Sequence, residues 1–236
     1  ILLVAGKGHE KIQEIGNRKI YFSDKKIILN AIKLKNLNLS NNLKLNLIKE
    51  LSGNKKLNTN LTLGQARINS KEVKKNDIFF TIRGRKNDGN KFVEEALRKK
   101  ASIVVVNKIK KKLDYNKQIK VTDSLKFLTE TSTIFRENVD AKIIAITGSC
   151  GKTTLKELLG KTLKKISKTT ISPKSYNNKY GVPLSLFNLR KNDNYGVLEV
   201  GMDKKGEIDY LSKIIKPDIS IITNICNNSN VWFYYF

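Results

Sequence analysis

Cysteine, histidine, proline and acid are all scarce in this chain. Its 236 residues include two cysteines, three prolines and one histidine. Cys150 and Cys226 lie far apart, and neither looks like half of a disulfide or metal framework, which fits a reducing cytoplasm. His9 sits in an expected loop, where a lone histidine is more often structural than catalytic. There is no Pro- or Ser-rich linker and no internal repeat, so any join between units has to be short. Long apolar runs are missing as well. Ile1-Leu-Leu-Val-Ala5 is too short for the apolar core of a signal sequence or for a membrane span, and no basic residue precedes it. No membrane association is expected. The chain does not start with Met, and it is expected to be a fragment.

Acid is outnumbered, with 21 Asp and Glu against 46 Lys and Arg and a formal net charge of +25. Such a balance raises nucleic-acid binding as a class. Only seven of the 46 basic residues are Arg, and the lysines are scattered apart from the short run Lys108 to Lys112. No basic stripe is interleaved with aromatics. Lys, Asn and Ile share A/T-rich codons, which accounts for the bias without a polyanionic partner, so no nucleic-acid partner is expected.

What the chain does have is a phosphate-loop pattern, Thr147-Gly-Ser-Cys-Gly-Lys-Thr-Thr154. The apolar Lys142-Ile-Ile-Ala-Ile146 before it reads as a buried strand. After it, apolar residues at 155, 158, 159 and 163 have helical spacing. A Gly-containing turn between strand and helix is the context a phosphate cradle needs. Gly148 and Gly151 let the backbone approach an anion, and the amides of the turn and of the first helical residues (Thr147, Gly148, Ser149, Cys150, Gly151, Lys152, Thr153, Thr154) can point at it. Lys152 can reach terminal phosphates, and the Thr153 hydroxyl can ligate Mg²⁺. Position 146 is Ile, so this is the shorter T-G-S-x-G-K-T-T form, and a chance Lys-Thr in a glycine turn is the competing explanation.

Elsewhere, alternation and helical spacing predict short strands at Ile1–Ala5 and Lys19–Phe22, a Ser23-capped helix to about Lys33, and a helix at Leu43–Leu51 stopped by Gly53. Strands are expected at Asp77–Ile82 and Ser102–Val106. Helices are expected at Asn90–Lys99, with Phe92, Val93, Ala96 and Leu97 on one face, and at Ser124–Arg136. Tyr195-Gly-Val-Leu-Glu-Val-Gly-Met202 reads as a buried strand with a carboxylate, Glu199, near its C-terminal end. A charge there is costly unless paired or metal-bound, and strand C-termini face the ligand in nucleotide-binding α/β sheets. A solvated strand-end acid is the alternative. The fold class is α/β: a small α/β domain followed by a P-loop domain with a mainly parallel sheet.

Several of these strings together resemble the Mur ligase family. Asn69-Ser-Lys-Glu-Val-Lys-Lys-Asn-Asp-Ile-Phe-Phe80, Ile82-Arg-Gly84, Asp88-Gly89 and Phe92 are similar to the N-terminal, UDP-binding domain of MurF-type ligases. The string T-G-S-x-G-K-T-T-x-K-E and Tyr176-Asn-Asn-Lys-Tyr-Gly-Val-Pro-Leu184 are similar to their central ATPase domain. Ala5-Gly-Lys-Gly-His-Glu10 followed by Phe22-Ser-Asp24 resembles the C-terminal end of MurE-type ligases. The resemblance implies three parts: a MurE-like remnant at 1–33, a substrate-binding domain at 34–140 and a partial ATPase domain at 141–236.

It further implies ATP-dependent ligation of D-alanyl-D-alanine to UDP-N-acetylmuramoyl-tripeptide through an acyl phosphate, in the cytoplasm, by a monomer, with ATP and Mg²⁺ as cofactors. Lys152 and Glu199 would be catalytic and Thr153 and Glu199 the metal ligands. Ser70, Lys71, Asn177 and Asn178 would bind substrate, and Gly6 and Glu10 would be relics of a diamino-acid site. Another Mur-type ligase such as MurE, or a non-catalytic nucleotide-binding module, is the alternative. Two departures stand out. The family usually has Asp-Ser-Arg where this chain has Asn69-Ser70-Lys71, and Lys is not neutral for Arg at a bidentate contact. After Thr223-Asn-Ile225 the family continues with Gly-x-x-His, whereas here Cys226 to Phe236 ends in five aromatics. A frameshift or truncated reading frame after Ile225 is expected, leaving a chain that does not turn over by itself.

Overall fold

The structure is a computed structural model, and it describes residues 12–15, 18–21, 23–58, 60–84 and 87–225. The expected strand at 1–5, Gly6, Glu10 and the aromatic end after Ile225 lie outside these residues. β1 (Ile12–Ile15) and β2 (Arg18–Tyr21) form an antiparallel pair. Only the second of them follows from alternation in the sequence.

α1 (Asp24–Ser52) is one helix of 29 residues where two were expected. Its ends agree with the sequence. The Ser23 hydroxyl accepts from the Lys26 amide, and Gly53 closes the helix in the left-handed region at φ 66. Nothing between them stops it, because positions 24–52 contain neither Gly nor Pro. The expected boundary between residues 33 and 34 therefore falls inside a helix. Its C-terminal half is anchored, with Leu45, Leu47 and Ile48 buried, while Ile27, Leu29, Ile32 and Leu34 nearer its start are exposed.

The first four-stranded sheet has the order β3-β4-β5-β6 and is parallel throughout, from β3 (Ala66–Arg67), β4 (Ile78–Phe80), β5 (Ile103–Val106) and β6 (Gln118–Lys120). β3 and β6 are two and three residues long, too short for a periodic signal. α2 (Val93–Arg98) crosses from β4 to β5. Its buried face is Val93 and Ala96; Phe92 lies in the 3-10 turn ahead of it and is exposed, unlike the sequence expectation. α3 (Ser124–Glu137), capped by Asp123, leads out of β6 to the second sheet.

The second sheet has the order β10-β7-β9-β8, again parallel, from β7 (Lys142–Thr147), β8 (Thr169–Ile171), β9 (Tyr195–Glu199) and β10 (Ile219–Ile222). α4 (Lys152–Ile166) follows β7, α5 (Gly181–Phe187) precedes β9 and α6 (Glu207–Ile215) precedes β10. On α4, Leu155, Leu159 and Leu163 pack on the sheet, but Leu158, expected on the same face, is exposed.

The two sheets share their packing. Leu45 and Ile48 of α1 join Phe80 and Ile103 of the first sheet with Leu184 and Phe187 of α5. Leu47 of the same helix joins Phe135, Ile143 and Leu186 on the other side. Phe187 is the pivot, edge-on to Phe80 and tilted against Phe135, each with ring centres 5.9 Å apart.

Candidate functional site

β7 sits between β9 and β10, so three strand C-termini meet at one edge of the second sheet, with Ile146 paired to Glu199 and Thr147 paired to Ile222. That edge is where an open parallel sheet presents ligand-binding groups. The turn after β7 has Gly148 at φ 135 and Gly151 at φ 79, both positive, as only glycine adopts without strain. A Cβ on Gly148 would come within 2.1 Å of the Thr223 hydroxyl. The end of β10 closes the turn from below. The Ser149 amide donates to the Asn224 carbonyl at 3.0 Å and the Cys150 amide to its side-chain oxygen at 2.9 Å. The Thr223 hydroxyl donates to the Cys150 carbonyl. Two of the turn amides are thus engaged by Asn224. The amides of Lys152, Thr153 and Thr154 open α4 and have no acceptor within the helix, so they face the mouth of the site.

Side chains of four segments converge beside the turn. Lys152 Nζ folds back to donate to the Gly148 carbonyl at 2.6 Å. The Thr153 hydroxyl donates to Glu199 Oε2 at 2.8 Å, and Asn177 Nδ2 donates to Glu199 Oε1 at 2.9 Å. Glu199 is 1% exposed, and its own amide donates to the Ser172 hydroxyl. The Thr147 hydroxyl, buried at the end of β7, is without a hydrogen-bond partner among the described residues. A hydroxyl left so costs free energy unless a ligand or water meets it.

The remaining expected residues are placed as follows. Asn178 turns the chain into α5, its side-chain oxygen accepting from the amides of Tyr180 and Gly181, both at 3.1 Å. Gly181 fits because Tyr176 Cα lies 2.5 Å from where its Cβ would be. Ser70 is buried on the first sheet's side, donating to Glu95 Oε2 at 2.7 Å, with Lys71 exposed beside it. That bond holds the Glu95 carboxyl below its ordinary range, with Lys99 adding to it. Asn178 also lines a cleft of about 450 Å³ between the sheets, with Ile68, Ile82, Tyr176 and Tyr180.

Sequence reasoning missed four side chains here. Glu72 reaches across from the first sheet's side, with Oε1 2.6 Å from Lys174 Nζ and Oε2 accepting from the Tyr176 hydroxyl at 3.3 Å. The Lys174 bond is the main reason the Glu72 carboxyl lies below its usual range and the Lys174 ammonium above. Burial chiefly raises the Tyr176 hydroxyl. Lys156, the fourth, is fully buried beneath Glu199. In the sequence it is the second lysine of the string T-G-S-x-G-K-T-T-x-K-E, where it carried no assigned role, on the same helical face as Lys152 and four residues on.

Mg²⁺ bound with a nucleotide takes one or two protein oxygens and completes its shell with phosphate oxygens and water. The adjacent Thr153 and Glu199 oxygens, at the sheet edge and open to solvent on the Thr153 side, fit that demand. Among the described residues no group of three His, Cys, Asp or Glu could hold a metal by itself. No described helix is long and apolar enough to cross a membrane.

Residues 146–228 match the family model of the Mur ligase middle domain. Among curated proteins, the UDP-N-acetylmuramoyl-tripeptide–D-alanyl-D-alanine ligase of Buchnera aphidicola is 39% identical over 166 residues, covering 70% of this chain and 36% of that protein. Its counterpart in Rickettsia prowazekii is 36% identical over 169 residues, covering 72% and 37%. Among solved structures, the UDP-N-acetylmuramoylalanyl-D-glutamyl-2,6-diaminopimelate–D-alanyl-D-alanyl ligase of Acinetobacter baumannii aligns with a TM-score of 0.63 at 31% identity, covering 75% of this chain and 40% of that one. MurF ligase of Thermotoga maritima in complex with ADP aligns at 0.57 and 32%, covering 70% and 38%. The chain spans a little over a third of the length of these curated relatives. Fold, domain match and relatives agree, and the chain belongs to the Mur ligase family.

Proposed function

We propose that this chain supplies the nucleotide-binding and part of the substrate-binding machinery of an ATP-dependent ligase that joins D-alanyl-D-alanine to UDP-N-acetylmuramoyl-tripeptide. The observation that carries the reading is the meeting of Lys152, Thr153 and Glu199 beside the open amides of α4. The relatives' names supply the substrates.

In this reading the α4 amides and the Lys152 ammonium bind the nucleotide's phosphates. Thr153 and Glu199 would hold Mg²⁺, which supplies neutralising charge for the phosphoryl group in transit. Asn177 fixes the carboxylate plane of Glu199. Ser70 and Lys71 take the uridine-nucleotide side, and Asn178 shapes the cleft between the sheets. The terminal phosphoryl of ATP passes to the tripeptide's carboxylate and ADP leaves. The dipeptide's amine then attacks the carbonyl of the acyl phosphate, loses a proton, and phosphate departs. The division at residues 34–140 and 141–236 into substrate and ATPase parts belongs to the same proposal.

The test is equilibrium binding of Mg·ADP and Mg·ATP to the purified chain by calorimetry. The wild type binds, and Lys152→Ala weakens binding at least about tenfold, as the loss of a charge-assisted phosphate contact implies. No binding, or binding indifferent to Lys152, contradicts the proposal. In a full-length counterpart, phosphate release should require D-alanyl-D-alanine; release supported by a diamino acid instead would move the assignment to a MurE-type ligase.

A further inference from the structure

Lys156 has none of the roles above, yet it is the most enclosed charge at the site. It lies one helical turn beyond Lys152, on the face of α4 turned to β8 and β9, and is 0% exposed. Its ammonium donates to the Lys174 carbonyl and lies 3.4 Å from Glu199 Oε2. A second carboxylate, that of Glu157, is 3.8 Å away on the rim. A buried carboxylate without a cation is costly, and a buried cation without one equally so. Gly160, a turn further on, leaves room for Ile171 to pack close, with Ile171 Cδ1 2.5 Å from a built Cβ. The helix is therefore held hard against β8, and Lys156 has no path to solvent.

The Lys174 carbonyl matters as much as Glu199. Lys174 has a positive φ of 49, unusual for a residue with a side chain, which turns its carbonyl inward while its side chain reaches Glu72 on the first sheet's side. Ser172 and Asn177, on the same segment, both touch Glu199. Lys156 thus ties together the carboxylate, the segment that orients it and the helix that carries Thr153.

We propose that Lys156 is a positioning residue for the metal-bound nucleotide: it compensates the charge of Glu199 and fixes its Oε2 beside the Thr153 hydroxyl, so that the two oxygens are presented together to one divalent cation. The inference rests on the nucleotide-binding reading above. It assigns Lys156 no contact with nucleotide, which separates it from Lys152. Lys152 and Lys156 then divide the work, one acting on phosphate and one on the metal-binding carboxylate.

The experiment measures ADP affinity of the whole chain with Mg²⁺ and in EDTA, for wild type, Lys152→Ala, Lys156→Met, Lys156→Arg, Glu199→Gln and the Lys156→Met/Glu199→Gln double variant. Lys156→Met should lose about tenfold or more of the Mg²⁺-dependent gain while keeping the wild-type affinity in EDTA, and Lys156→Arg should recover part of the gain. Lys152→Ala should weaken both. A merely structural lysine would lower both affinities together or neither. If Lys156→Met does not fold, the double variant, which buries no unpaired charge, is compared with Glu199→Gln alone. Equal Mg²⁺ dependence in the two supports the proposal, and a further loss in the double overturns it. A wild-type Mg²⁺ response in Lys156→Met also overturns it. Wild-type chain that binds no ADP under either condition removes the nucleotide reading itself, and this inference with it.

Discussion

Lys44 and Lys156 are both shut away from solvent, one between the two sheets and the other at the edge of the second. Around Lys44 the neighbours are two aromatic rings and a backbone carbonyl. Its ammonium lies 4.8 Å from the centre of the Phe135 ring and 5.2 Å from that of Phe187, and donates to the Leu189 carbonyl at 3.1 Å. Burial pulls its pKa down to about 7, against the opposing pull of Asp193. Around Lys156 the neighbours are a carbonyl and two carboxylates. The contrast teaches that burial alone does not mark a functional charge. The lysine between the sheets is a packed side chain whose charge is a burden, whereas the lysine at the strand edge belongs to a set of groups that compensate one another beside the glycine turn after β7.

The comparison breaks most visibly under neutralisation. Lys156→Met should cost about 3–5 kcal/mol in denaturant unfolding at pH 7, since it strands Glu199 as a buried charge. Lys44→Met strands no contacting carboxylate and should cost well under half as much. Equal losses at the two positions would erase the distinction.

The two lysines also sharpen against pH. Lys44 in the folded chain titrates at about 7, below its ordinary 10.5, so between those values the unfolded chain holds more protons. Its burden is therefore full below pH 7 and is relieved as pH rises towards 10.5. The stability of wild type relative to Lys44→Met should climb between pH 7 and 10, with a slope of up to ~1.4 kcal/mol per pH unit. A flat difference across that range would show that the ammonium is not desolvated as the geometry implies.

The smallest expected effect lies at the bridge between the regions. Glu72→Gln loses the ion pair with Lys174, but Lys174 is 70% exposed, so the cost should be under about 1 kcal/mol at neutral pH. The Glu72 carboxyl is held below its ordinary range. Its contribution is accordingly present above the unfolded value and fades as acid protonates it, so wild type and variant should converge in acid. Convergence failing in a pH series of melting curves would place the bridge elsewhere.

Legibility from sequence divides along similar lines. The glycine turn between β7 and α4 was readable because its glycines and Lys152-Thr153 are contiguous, and Glu199 because a carboxylate inside an apolar strand is conspicuous. The parallel α/β class followed from strands alternating with helices. β3, β6 and β8 were not readable, since two or three residues carry no period, and α1 was split because Leu, Asn and Lys between 34 and 42 give no clean helical face. Lys156 and Glu72 lie inside strings that carry the family resemblance but drew no role from sequence, and Lys174 lies outside them. Their role comes from strand order and from a positive φ at Lys174, which brings residues 72, 156, 174 and 199 together across more than a hundred positions.

Hydrogen exchange of the chain with and without Mg·ADP tests the central claim most directly, because it locates the ligand. Protection should appear at the amides of 148–155, 172–178 and 199–201, with the first sheet's residues 66–106 unchanged. Protection confined to the first sheet, or none at saturating nucleotide, would contradict the assignment of the β7–β9 edge as the nucleotide site.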